Sequence, residues 1–149
     1  MRGTVLTGGC LCGAIRYELH GQPFDADFCH CRQCQRQTGA PVAAWMDFKS
    51  GQVSWLKGQL KEFASSDTVR RGFCPECGST LSFRDTEYPE YLTLAICSLD
   101  EPNRISPNYH IHTGSGVSWL KMTDDSPRHA KGRSESDSGT APYSDAGSV

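Results

Sequence analysis

Seven of the eight cysteines fall into three tight groups: Cys10-Leu11-Cys12, Cys29-His30-Cys31-Arg32-Gln33-Cys34 and Cys74-Pro75-Glu76-Cys77-Gly78. Thiolates so spaced converge on a soft metal ion, and zinc is the first candidate. The third group carries the strongest local signal. Pro75 fixes φ on the way into the turn, and Gly78 permits a tight reversal behind the second sulfur. A redox CxxC would need a βαβ context with a helix after the first cysteine. Residues 78–83 instead read as a turn into a strand.

Ligand counting divides the groups. A structural zinc takes four protein ligands, and a catalytic zinc commonly takes three with one position open. Cys10, Cys12, Cys74 and Cys77 make a complete four-thiolate site that closes a loop of about sixty residues, a strong staple. Cys29, Cys31 and Cys34 have no fourth ligand nearby, which predicts a second, catalytic zinc and two Zn²⁺ per chain. Three thiolates around Zn²⁺ carry an overall charge of about −1, so the ion is a weak Lewis acid that activates water poorly. A thiol substrate held as thiolate suits it better. Arg32 and Arg36 either offset this charge or are solvated surface residues. His30, between two ligands, should point away from the metal. His110 and His112 alternate onto one face, and His110 is the candidate catalytic proton carrier. Cys97 reads as a small buried hydrophobe, with a fourth ligand for the triplet or a redox nucleophile as alternatives.

These groups need a frame, and the chain offers a modest one. It has 149 residues, 37% hydrophobic, with 15 Gly and 8 Pro, which predicts many turns and a thin core helped by a metal staple. The formal net charge is −2, or about −5 once seven thiolates and two zinc ions are counted. That balance argues against a nucleic-acid partner. No apolar run suits a signal peptide or a membrane span, so a cytoplasmic setting with reduced thiols is expected. Residues 14–19, 53–56, 81–83 and 91–96 alternate with period two and predict strands. Residues 32–38 predict one short helix, ended by Gly39 and Pro41. The fold class is mainly β, a sandwich or folded-over sheet, with Trp45, Phe48, Trp55, Phe63, Phe73, Phe83 and Trp119 assigned to the core. Residues 1–130 form the domain, and 131–149, rich in Ser, Gly and Asp, form a disordered tail.

The stretch Gly8-Gly9-Cys10-Leu11-Cys12-Gly13-Ala14-Ile15-Arg16-Tyr17 resembles the opening of the glutathione-dependent formaldehyde-activating enzyme family, which shares its domain with centromere protein V. The likeness continues through Cys29-His30-Cys31-x-x-Cys34, Thr38-Gly39-Ala40, Phe73-Cys74-Pro75-x-Cys77-Gly78 and Leu99-Asp100. It extends to Pro107 with His110-Ile111 and to Trp119 with residues 124–127, covering roughly residues 5 to 128. The resemblance implies an Mss4-like β fold, a structural zinc on Cys10, Cys12, Cys74 and Cys77, and a second zinc on Cys29, Cys31 and Cys34. It also implies carbon–sulfur lyase chemistry: addition of the glutathione thiol to formaldehyde giving S-hydroxymethylglutathione, or the reverse. The implied partners are a glutathione-like thiol and an aldehyde. The alternative is a non-catalytic two-zinc binding module, and the oligomeric state is left open.

Overall fold

The computed structural model describes residues 5–132. The expected tail lies outside the described residues from 133 onward. At its start, the Lys131 carbonyl still accepts the His112 N–H at 2.8 Å.

Among the described residues, ten strands form two sheets. The small sheet has the order β1-β2-β5, from β1 (Val5–Gly9), β2 (Arg16–His20) and β5 (Val53–Lys57). The large sheet has the order β10-β3-β4-β9-β8-β7-β6. Its strands are β3 (Asp25–Cys29), β4 (Ala43–Lys49), β6 (Lys61–Ala64), β7 (Val69–Phe73), β8 (Thr80–Asp85), β9 (Tyr91–Ala95) and β10 (Tyr109–Ile111). Neighbouring strands are antiparallel except β10, which runs parallel to β3 with Ile111 beside Cys29. This is the mainly β, folded-over arrangement expected from the turn-rich sequence.

Side-chain alternation explains the layers. On β1 and β2, Leu6, Tyr17 and Leu19 face inward and meet Ala26, Met46, Phe48, Leu94, Ile96, Leu99 and Ile105 of the large sheet and its connections. The opposite side of β4 is buried too, because Ala43 and Trp45 pack with Val69, Phe83, Tyr109, Ile111 and the cysteine triplet. A strand buried on both faces cannot show clean period-two alternation, and β4 was not foreseen for that reason. β3 was not foreseen for another reason, and β5, expected as a strand, differs only in burial. β3 carries Asp25 and Asp27, residues depleted in strands. It is nonetheless central, with Asp25 accepting a hydrogen bond from the Tyr109 hydroxyl at 2.7 Å. β5 and β6 are edge strands with no full covering layer, so Trp55 (39% exposed) and Phe63 (62%) are surface residues, as is Trp119 (71%). The core assignment holds for Trp45, Phe48 and Phe83 and is corrected for these three.

The helix α1 spans Arg32–Thr38, between β3 and β4, as expected. Cys31 caps its start by accepting the Cys34 N–H on sulfur, at 3.3 Å. Gly39 ends it at φ 72°, donating its N–H to the Gln35 carbonyl at 2.8 Å, a left-handed stop that glycine adopts at little cost.

Candidate metal centres

The first cluster joins two turns that are distant in sequence. β1 delivers Cys10, whose carbonyl accepts the Gly13 N–H and whose sulfur accepts the Ile15 N–H at 3.2 Å. β7 delivers Cys74, whose carbonyl accepts the Gly78 N–H at 2.9 Å and whose sulfur accepts N–H groups from Glu76 and Cys77. Gly13 (φ 81°) and Gly78 (φ 77°) close the two turns. Such N–H donors favour ionised sulfur. The Ser79 hydroxyl, 3.1 Å from the Cys77 sulfur, holds that thiol down at about 5. The four sulfurs lie within 4.8 Å of one another, with Cys10–Cys12 at 3.6 Å and Cys12–Cys74 at 3.8 Å. A tetrahedral zinc with bonds of about 2.3 Å sets its sulfurs about 3.8 Å apart. The donor set and spacing therefore fit zinc. Gly78→Ala tests the turn. A Cβ there meets nothing within 4 Å, so only the left-handed backbone is penalised, and a loss of about 1–2 kcal/mol in chemical denaturation is expected.

The second cluster, Cys29, Cys31 and Cys34, sits where the end of β3 turns into α1. Its sulfurs also lie within 4.8 Å of one another, and no other Cys, His, Asp or Glu among the described residues joins them at that distance. The three residues are 2%, 0% and 2% exposed. Hydrogen bonds from Cys29 and Cys31, then the charge of Arg71, hold the Cys34 thiol far below the usual thiol range. Cys29 is pushed up correspondingly, chiefly by Cys31.

Arg71 is the residue that sequence reasoning missed. It is 1% exposed, lies 5.2 Å over the Phe83 ring and donates to the Cys34 sulfur at 3.5 Å. Further N–H groups reach Gln33, Gln37 and Ser65. Arg32 and Arg36, expected to offset the cluster's charge, are exposed instead. Both stand on the outer side of α1, and the compensating charge comes from β7. Two successive arginines in a short strand, Val69-Arg70-Arg71-Gly72-Phe73, put one on each face, and that was the available signal.

The histidines also differ from expectation. His110 turns to the face of β10 opposite Tyr109 and Ile111, the residues that pack with the triplet. There it is 1% exposed, stacked on Phe28 at 4.7 Å and bonded to His30 and Asp124. The expected proton carrier is thus not among the donors grouped with the three sulfurs, and both its ring nitrogens are engaged elsewhere. His112 is not on the same face, because β10 ends at Ile111 and His112 takes φ 55° at the start of a 3-10 turn. Cys97 is exposed and belongs to neither cluster. β9 ends at Ala95 and winds into a 3-10 turn in which Ile96 takes the inward place.

Comparison with known proteins agrees with this geometry. The model of the glutathione-dependent formaldehyde-activating enzyme family matches residues 5–115, taking in both clusters. The chain belongs to that family. Among curated proteins, an uncharacterized lyase of Schizosaccharomyces pombe (strain 972 / ATCC 24843) is similar, with 33% identity over 79 residues. The match covers 53% of this chain and 57% of the relative, so it spans little more than half of that protein. A solved structure of a Rhodobacter sphaeroides protein shares the fold, with a TM-score of 0.50 at 20% identity. It covers 82% of this chain and 98% of its own. Among the described residues of this formaldehyde-activating-enzyme family member, no helix is long and apolar enough to cross a membrane.

Proposed function

We propose that the protein is a zinc-dependent carbon–sulfur lyase or synthase acting on a thiol–aldehyde adduct of the glutathione and formaldehyde type. The observation that carries this reading is the three-thiolate cluster, which lacks a fourth Cys, His, Asp or Glu donor within 4.8 Å among the described residues. Cys10, Cys12, Cys74 and Cys77 would hold a structural zinc, and Cys29, Cys31 and Cys34 a second zinc. Zinc at the second site would supply a soft position at which a substrate thiol stays ionised at neutral pH.

The chain's own residues do the rest. Arg71 offsets the negative charge that accumulates when a fourth sulfur approaches three thiolates. Trp45, Phe83 and Tyr109 surround the cluster with apolar surface and exclude water, which strengthens the Arg71 interaction. In the synthetic direction the thiol sulfur forms a bond to the aldehyde carbon, the C=O π pair moves to oxygen, and the thiol proton ends there as hydroxyl. The reverse breaks the C–S bond and returns that proton. Holding thiol and aldehyde together supplies much of the acceleration, as positioning does in other bimolecular reactions.

Zinc X-ray absorption during a glutathione titration tests the proposal. A sulfur should be added to the second zinc's shell, and adduct formation should run faster than in buffer. An unchanged shell at saturating glutathione would overturn the thiolate mechanism. The near-complete burial of the triplet favours one other reading, a non-catalytic module with two structural metals. That reading expects both metals to ignore added thiols.

A further inference from the structure

A polar network outside the cysteines runs through His30, His110, Asp124 and Arg128. Its position matters because His30 is the single residue between Cys29 and Cys31. Each polar group of His30's backbone is held. Its N–H donates to the Ile111 carbonyl at 3.1 Å, and its carbonyl accepts from Gln35 Nε2 at 2.9 Å. Its ring Nε2 lies 2.8 Å from His110 Nδ1. Behind His110, Nε2 lies 3.0 and 3.2 Å from the two Asp124 oxygens. Arg128 reaches the same carboxylate through both Nη atoms, at 2.9 and 3.3 Å.

Hydrogen placement along this chain has a direction. An ionised Asp124 only accepts, so His110 Nε2 carries the hydrogen. With a single ring proton, His110 then accepts at Nδ1, and the hydrogen between the rings belongs to His30 Nε2. Each member has one role, and the chain ends on the turn that bears two of the three thiolates. Its far end is anchored as well. The His110 N–H donates to the Pro127 carbonyl at 2.9 Å, and His110 accepts from the His129 N–H at 2.9 Å. Asp124 and Arg128 lie beyond residue 115, where the family match ends.

We propose that His110 is a positioning residue for the second metal centre: backed by Asp124, it grips the His30 ring and so holds the Cys29-His30-Cys31 turn in its metal-binding shape. The inference rests on the reading of that cluster as a metal site. It gives the segment 124–129 a role in building a centre whose ligands all lie before residue 35. Outer partners of this kind commonly change metal affinity about 10–100-fold when removed.

The test uses the full chain loaded with zinc or cobalt(II), in the parent and in His110→Phe, Asp124→Ala and Asp124→Asn. Phenylalanine keeps the ring stacked on Phe28 and removes both hydrogen bonds. Chelator competition should show the second site weakened about 10–100-fold in His110→Phe and Asp124→Ala, with the first site within twofold of the parent. Cobalt(II) absorption bands of the second site should shift in the same two variants. Asp124→Asn, which keeps an acceptor oxygen, should recover most of the affinity. Second-site affinity within twofold of the parent in both disruptive variants would overturn the proposal, as would equal weakening of both sites. If His110→Phe fails to fold, Asp124→Ala carries the test, since its side chain is 35% exposed. Failure of the thiol mechanism is read separately, from parent cobalt bands that do not respond to added glutathione.

Discussion

Serine in place of Cys74 is expected to abolish the cooperative thermal unfolding transition. Cys74 is 0% exposed and packs with Ile15 and Leu81 in a small cluster of its own. The ligands it joins come from β1 and β7, strands of different sheets. A structural zinc contributes about 10–16 kcal/mol to folding, and whole domains are stable by only about 5–15 kcal/mol. On the proposed reading of this cluster as a structural zinc site, losing the ion exceeds what the thin core can supply. Cys97→Ser is the control, expected to change stability by less than about 0.5 kcal/mol because the side chain is exposed and outside both clusters. Circular-dichroism melts with zinc analysis decide the matter. A Cys74→Ser protein melting within a few degrees of the parent would remove the staple from the account.

Arg71→Met should be nearly as damaging, by a different route. Methionine fills much of the same space but leaves the Cys34 thiolate without its buried cation. Breaking one side of a buried charge pair costs about 3–5 kcal/mol. Arg71→Lys should cost less, because it keeps the charge, yet it cannot reproduce the fork that spans Cys34, Gln33 and Gln37. Urea denaturation of the zinc-loaded proteins measures this, and the second zinc should also dissociate faster in Arg71→Met. If Arg71→Met matches the parent in both respects, Arg71 is a packing residue and not the thiolate's counter-ion.

The parts of the molecule legible in its sequence share one property: their causes are local. Cysteine spacing reports turn geometry, so both clusters were readable from Cys10, Cys12, Cys29, Cys31, Cys34, Cys74 and Cys77. Thr38 followed by Gly39 announces a helix end, and α1 has the expected span. What was missed depends on partners far along the chain. Arg71 becomes the thiolate's neighbour only because β7 places it under α1, 37 residues from Cys34. The facing of His110 depends on a parallel register with β3 that nothing near residue 110 encodes. Trp55 alternates like a core residue and Phe63 is a large aromatic, but edge position decides their exposure, and strand order is a global property. Cys97 was misplaced because a strand that ends one residue earlier turns its side chain outward.

The parallel pairing of β10 with β3 also bears on the order of events during synthesis. The three thiols of the second centre leave the ribosome early, whereas the strand that seats them comes 80 residues later, with His110 against His30. At about 5–20 residues per second, that gap lasts roughly 4–16 s. Throughout it, Cys29, Cys31 and Cys34 form a soft, unframed ligand set, open to any thiophilic ion and ranked by affinity alone. The frame that holds these three sulfurs beside one another is complete only once β10 docks against β3.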